Sequence, residues 1–328
     1  MNNLKYTDIK NYLESKSIKV NSSCAIDDEF NGIATLKNAC EKHLTFYHNI
    51  KYKSLLETTK AKACLINEKN AEMLNKNCIP IIVNDPYLAY ALLSNFIKPN
   101  LQSNGQISNT ANISKKSQIG TNVQINSNVV IKDNTLISND VVILDNSTIG
   151  PNVKIESGSI VMSNCVITDA FIGQNSTIQS GCIIGGQGFG FALKNKTPII
   201  HLGNVIIGNN VDIGSNTTID RGTIDSTKIG NNVRIDNLVQ IAHNVEIDDN
   251  TVIAAQTGIS GSTIIGKNCI IGGQVGFVGH IEVGDNVTVA SKSGVTKNIP
   301  NDSKIAGFPA QDINKWKKSI ILLNKKNK

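Results

Sequence analysis

The chain has 328 residues, 40% of them hydrophobic but only 5% aromatic, and 32 Lys and Arg against 26 Asp and Glu leave a formal charge of +6. That length accommodates two or three domains, and so mild a basic excess is too weak, without a clustered patch, to argue for nucleic acid, which is not expected as a partner. The seven cysteines are scattered, without a C-x-x-C pair or a Cys/His metal spacing, so they read as reduced thiols of a cytoplasmic protein rather than as disulfides or zinc ligands.

From the N-terminus, Met1 to Lys10 lacks the apolar core of a signal peptide. Residues 1–104 read as a small α/β domain. A helix is expected over Thr7–Ser15, a strand over His43–His48, a helix over Tyr52–Thr59, and strands over Ala63–Ile66 and Ile79–Val83. Asp85 then stands where it can cap a helix that begins at Pro86 and runs to about Ile97. Lys98-Pro99-Asn100 stops it, and the polar stretch Gln102 to Thr110 forms a linker. The longest apolar runs, Ile79–Val83 and Ile320–Leu323, are too short to span a bilayer, so no integral membrane segment is expected.

From Ile113 a branched aliphatic residue returns at every sixth position: Ile119, Ile125, Ile131 and on to Ile167, then again from Ile229 through Ile235, Ile241 and Ile253 to Val295. A period of six is neither the alternation of an ordinary strand nor the 3.6 of a helix. It suits a solenoid in which each hexad forms one flat side of a coil and turns its aliphatic residue inward. The fold class expected is therefore mainly β, a parallel β-helix over 105–308 behind the N-terminal α/β domain. Its repeat resembles the left-handed β-helix of the hexapeptide-repeat acyltransferases, in which clefts between three associated subunits hold the active sites. A homotrimer is expected on that analogy.

The repeat breaks between Ile184 and Val205, so 185–204 leaves the coil as a glycine-rich loop, and it slips again at Asp225. After Pro300 the period ends. A C-terminal helix is expected over 309–328, with Ile313, Trp316, Ile320 and Leu323 as its apolar stripe.

Five histidines are present, and there is no G-x-S-x-G nucleophile elbow. His243 and His280 lie 37 residues apart, two coils of eighteen plus one, which puts them near one corner and two rungs apart. At about 4.8 Å per rung that separation is roughly 10 Å. His243 is equally readable as a base or as a solvated turn residue. Asp236, one hexad earlier, is a candidate to orient the imidazole, and Asn244 is a candidate to hydrogen-bond an acyl or sugar group. His201, in the loop, has no partner at coil spacing. The separation of His243 and His280 also argues against a metal site.

Three stretches together resemble one family, the UDP-3-O-(3-hydroxyacyl)glucosamine N-acyltransferases of lipid A biosynthesis. They are Gly188-Phe189-Gly190-Phe191, then Thr217-Thr218-Ile219-Asp220-Arg221-Gly222, then Asp236-Asn237 with Gln240-Ile241-Ala242-His243-Asn244 and, further on, Gly279-His280. Phe46, Asn49 and Tyr52 match the family's F-x-x-N-x-x-Y element. Gln187 departs from it, standing where an acidic residue is common.

The resemblance implies that the donor is an acyl carrier protein bearing a 3-hydroxyacyl thioester and the acceptor is UDP-3-O-acylglucosamine. It implies His243 as general base without a covalent acyl-enzyme, a backbone N–H near Gly261 for the oxyanion, and His280 binding the sugar nucleotide. It implies that Phe46 and Tyr52 sandwich a uracil which Asn49 reads, and it requires no cofactor and no metal. Lys292, Lys297, Lys304, Lys315, Lys317 and Lys318 are candidates to dock an acidic carrier protein. Two other acyltransferases compete, an O-acyltransferase on UDP-N-acetylglucosamine and an acetyl-CoA enzyme, as does a non-catalytic scaffold. The hundred-residue N-terminal domain argues against the first.

Overall fold

The computed structural model describes residues 3–99, 101–307 and 318–322. The chain divides into two compact units, Met1–Asn100 and Leu101–Lys328.

In the first unit a four-stranded sheet is ordered Asn21–Ser22, Ile79–Ile82, Ala63–Ile66, Leu44–Phe46. The last three strands run parallel and the first is antiparallel to its neighbour. Ala63–Ile66 is buried along its whole length, as a central parallel strand covered on both faces must be. On one side Ile9 and Leu13 of the helix Tyr6–Ser15 meet Ala89 and Leu93 of the helix Pro86–Ile97 over Leu65 and Ile81. On the other side Leu56, Cys64, Ile66 and Leu74 form a second core. The Asp85 carboxylate accepts from the N–H groups of Tyr87 and Leu88, so the expected cap is in place. The helix expected over Tyr52–Thr59 is instead a short 3₁₀ segment, Ile50–Leu55, that Asn49 caps at its start. None of Ile50–Leu55 is buried, and a single short turn of this length favours the tighter helix.

The second unit is a parallel β-helix of three sheets, with ten, nine and ten strands of two to four residues each. The aliphatic residue of each hexad points inward and stacks on its counterpart one coil away: Ile235 on Ile253, Ile253 on Ile271, Ile271 on Val289. All of these are at most 3% exposed, and they run through one continuous core. Between strands the chain turns through a residue at positive φ, usually Asn, as at Asn122, Asn146, Asn232 and Asn250 with φ of 51° to 61°. Other side chains pay roughly 1–2 kcal/mol in that conformation, whereas Asn tolerates it. Asn232 and Asn250 belong to a ladder up one corner. Asn232 donates to Asn250, Asn250 to Asn268, Asn268 to Asn286, and Asn286 to the carboxylate of Asp302.

The coil absorbs its irregularities without losing register. Ile155 pairs with Ile172, one residue short of a full coil, a contraction the repeat does not advertise. Ile184 pairs with Ile219 across the long loop, and Ile219 with Ile241 across a four-residue slip. The solenoid also outlasts the hexad period, since Lys304–Ile305 after Pro300 still pairs with Thr288–Val289. Residues 318–322 are helical and exposed. Ile313, Trp316 and Leu323 of the expected stripe, like Lys315 and Lys317, lie outside the described residues. All seven cysteines are unpaired, six of them buried and Cys40 exposed. No helix among the described residues is long and apolar enough to cross a membrane.

The corner chemistry is testable at Asn250, where φ is 61°. Asn250→Ala should destabilise the solenoid more than Asn250→Gly does, by about 1 kcal/mol, because both lose the ladder but only alanine brings a Cβ into the left-handed region. Urea unfolding midpoints decide it; the reverse order would mean that the left-handed conformation is not what selects asparagine at this corner.

Candidate active site

The long loop leaves and rejoins the coil under tight constraint. Gly185, at φ 81°, lies so close to the carbonyl of Thr168 that a Cβ would stand 1.8 Å from it. Arg221 then pins the loop's base. Its Nε donates to the Gly185 carbonyl at 2.7 Å, one terminal nitrogen pairs with Asp169 at 2.6 Å, and the other reaches Thr168 Oγ1 at 3.3 Å. Past this anchor the loop folds over the outer wall of the rung that carries His243. It carries Phe189, 84% exposed, edge-on to Phe191 at 5.1 Å.

His243 follows the strand Gln240–Ile241. Its Nδ1 lies 3.1 Å from Asn244 Oδ1 and 3.3 Å from Thr223 Oγ1. The Asn244 oxygen is identified independently, because it accepts the Thr223 N–H at 2.9 Å. An amide oxygen can only accept, so Nδ1 carries the ring proton and Nε2 is left with its lone pair. That face of the ring lies over Gly261: a Cβ there would stand 2.8 Å from Nε2 and 2.6 Å from Cε1. The carbonyl of Gly261 accepts from His280 N–H at 3.1 Å, while its own N–H makes no hydrogen bond among the described residues. A proton acceptor and a free backbone donor are thus side by side.

They open on a cavity of about 900 Å³, bounded by Gly188 and Phe189 of the loop, by Asp220 and Gln240, and by a column of glycines. The column is set by strand register: Gln240 pairs with Gly258, Gly258 with Gly276, Gly276 with Gly294. A Cβ added at any of the three glycines would meet nothing within 4 Å, so the wall is a smooth groove running along the coil.

The structure redistributes several expected roles. Within the chain Asp236 makes no hydrogen bond to His243. Its carboxylate accepts from the N–H groups of Asn237 and Ala255 at 2.7 and 3.2 Å, and neither contact at His243 Nδ1 involves it. The seven-residue step, one hexad and one more, carries the chain to a different wall of the coil, so nearness in sequence did not mean contact. Asn244 turns its amide to Thr223 and His243, which makes it the residue that orients the ring. His280 occupies the positive-φ corner two coils on from Asn244, at φ 60°, exposed and outside the cavity lining.

His201, which has no partner by spacing, is brought by the loop against His243, with ring centroids 5.1 Å apart. It is 2% exposed, and neither ring nitrogen has a partner. Gln187, the departure from the family pattern, holds it by accepting the His201 N–H at 2.9 Å. Burial, and then the neighbouring His243, lower the His201 pKa. Among the described residues no group of three His, Cys, Asp or Glu could hold a metal ion.

The first unit has its own cavity, of about 660 Å³, lined by Phe46, His48, Asn49, Tyr52, Leu55 and Tyr87 among others. Phe46 has one face covered by Tyr90, stacked at 4.1 Å and 11°, while Tyr52 is 55% exposed. Asn49 Oδ1 accepts the Lys51 N–H at 3.0 Å, which leaves its Nδ2 as a free donor.

Residues 27–96 match the family model described as UDP-3-O-(3-hydroxymyristoyl) glucosamine N-acyltransferase, LpxD, and residues 134–169 and 226–261 match the bacterial transferase hexapeptide repeat. A UDP-3-O-acylglucosamine N-acyltransferase of Marinomonas sp. (strain MWYL1) is 47% identical over 54% of this chain and 52% of its own. One of Methylorubrum populi is 35% identical over 89% of this chain and 86% of its own. The chain thus spans about half the length of the Marinomonas relative and most of the Methylorubrum one. A solved UDP-N-acetylglucosamine acyltransferase is 24% identical with a TM-score of 0.50, over 66% of this chain and 80% of its own, a likeness of fold alone that sets the solenoid among left-handed β-helices.

The His201 environment gives a pH test. Above neutrality the imidazole is uncharged in both states; as pH falls through the ordinary value of about 6.5 the unfolded chain takes up a proton that the folded one resists, so stability declines until the lower folded pKa is passed. His201→Gln should therefore lose less melting temperature than wild type between about pH 7.5 and 5.5. Equal losses in the two proteins would mean that His201 protonates as readily in the folded state.

Proposed function

The chain belongs to the UDP-3-O-acylglucosamine N-acyltransferase family, and on that basis we propose that it moves a 3-hydroxyacyl chain from acyl carrier protein to the 2-amine of UDP-3-O-acylglucosamine in lipid A biosynthesis. One observation carries the mechanism: the bare Nε2 of His243 beside the free N–H of Gly261, at the mouth of a large groove.

The amine attacks the thioester carbonyl, and His243 Nε2 takes the amine's proton as the C–N bond forms. The oxyanion that results is held by the Gly261 N–H. When the C–S bond breaks, the proton on His243 passes to the departing thiolate, so atoms and charge balance and no acyl-enzyme forms. Asn244 and Thr223 hold the ring in the tautomer this requires. The acyl chain lies along the Gly258, Gly276 and Gly294 column, whose missing side chains leave room for methylenes.

Exposed Lys292, Lys297 and Lys304 stand near the far end of that column and suit an acidic carrier. In the first unit the open face of Phe46 and the exposed ring of Tyr52 suit a stacked uracil, with Asn49 Nδ2 donating to a uracil carbonyl. His280, at its corner, is assigned to the sugar nucleotide. Apolar side chains on the outside of the coil, among them Val166, Ile183, Ile264 and Ile270, favour association into a homotrimer. The protein would work in the cytoplasm, where carrier-bound acyl chains are made.

Acyl transfer to UDP-3-O-acylglucosamine, with UDP-N-acetylglucosamine as the control acceptor, tests the reaction; product from the control alone would sink it. His243→Ala should lower kcat by about 10²-fold or more, and a variant keeping a tenth of the wild-type rate would remove the general base. Tyr52→Ala should weaken binding of free UDP by about 5- to 150-fold, the range of a lost stacking face; calorimetry giving equal affinities would move the nucleotide elsewhere. Gly294→Leu should shift the preference toward shorter acyl chains, as read from relative kcat/KM across a donor series, and an unchanged profile would take the chain out of this groove.

A further inference from the structure

Beside His243 the cavity holds a carboxylate that the mechanism above does not use. Asp220 ends the strand Thr218–Asp220, where Ile219 turns inward, its neighbours turn outward, and Asp220 lines the cavity. In strand register it stands beside Ala242, one rung from the base. Its Oδ2 accepts Nε2 of Gln240 at 2.9 Å. Gln240 is itself held, because its Oε1 accepts the hydroxyl of Thr218. This fixes which end of the amide faces Asp220. Oδ1 has no partner among the described residues, and Asp220 is in none of their ion pairs. The adjacent Arg221 is turned away to Asp169, Thr168 and Gly185. The titratable groups on its side of the cavity are His243 and, behind that ring, His201.

A carboxylate drawn partly out of water without a cation is unfavourable unless something supplies the charge. Burial does raise its pKa, with Gln240 and His243 acting the other way. Neither imidazole forms an ion pair with it, while its position next to the base is where the nucleophile must sit. Resting on the N-acyltransfer reading, we infer that Asp220 recognises the 2-amino group of the acceptor sugar, pairing with it as the ammonium and, once that has lost one proton to solvent, accepting an N–H from the neutral amine whose next proton goes to His243. Gln240 and Thr218 hold the carboxylate for that contact. The nitrogen is thereby directed toward His243, and an acceptor carrying a hydroxyl at the same carbon gains no ion pair.

The test compares binding of UDP-3-O-acylglucosamine with that of its 2-hydroxy counterpart, UDP-3-O-acylglucose, by calorimetry on the full chain without an acyl donor. Wild type should favour the amine by about tenfold, the measure of one charge-assisted contact. Asp220→Asn, nearly isosteric and on the outside of the coil, should reduce the preference to within about twofold. Asp220→Glu, which keeps the charge, should retain most of it even where turnover falls. An Asp220→Asn protein with the wild-type preference, or an Asp220→Glu protein without it, overturns the assignment. Wild type that transfers acyl groups to the amine while Asp220→Asn keeps the preference defeats only this inference; wild type inactive toward the amine defeats the reaction as well.

Discussion

Each coil of the solenoid stacks on the next with its inward aliphatic residue directly over its counterpart, and every other feature depends on that register. Backbone N–H and C=O groups of one rung are satisfied by the rungs beside it, so the chain cannot shift locally without leaving buried polar groups unpaired. The register turns a sequence interval into a distance. Gly261 lies beneath His243 because one coil separates them, and three glycines form a groove because they recur at the same place on successive rungs.

The architecture of the second unit was legible because the constraint that makes it is periodic. Each inward Ile or Val must be aliphatic, and each corner must accept positive φ, so both requirements appear at fixed intervals. The site was legible only in part, since it is assembled where the period fails. His201 arrives through the long inserted loop and Thr223 through the four-residue slip, and neither stands at a coil interval from His243. Asp220 belongs to a stretch quoted for its likeness to a family, but its open oxygen becomes visible only once Gln240 and Arg221 are seen to be engaged. Asp236 illustrates the opposite failure. A carboxylate close in sequence to an imidazole invites pairing, yet one hexad is a third of a coil and faces another way.

The polar side chains around His243 divide the work of holding it. Asn244 and Thr223 fix the ring's proton on the side away from the cavity, and His201 fills the space behind without offering a hydrogen bond. Arg221 takes no part in that cavity; it ties the loop's base to Asp169 and so keeps Gly188 against the two imidazoles. Gln187, read from the sequence as a departure, substitutes one acceptor for another and keeps His201 in place.

A stack coupled only between neighbours loosens from its ends inward. In the ten-stranded sheet that lines the groove, the strand before His243 has three strands beyond it toward the C-terminus and six on the other side. Gly294–Val295 is the outermost of those three. On nearest-neighbour coupling the groove is expected to be graded in stiffness, firmest at the imidazole with rungs on both sides and more yielding toward Gly294. A molecule lying along it would be gripped where geometry matters and left slack where only bulk must be accommodated.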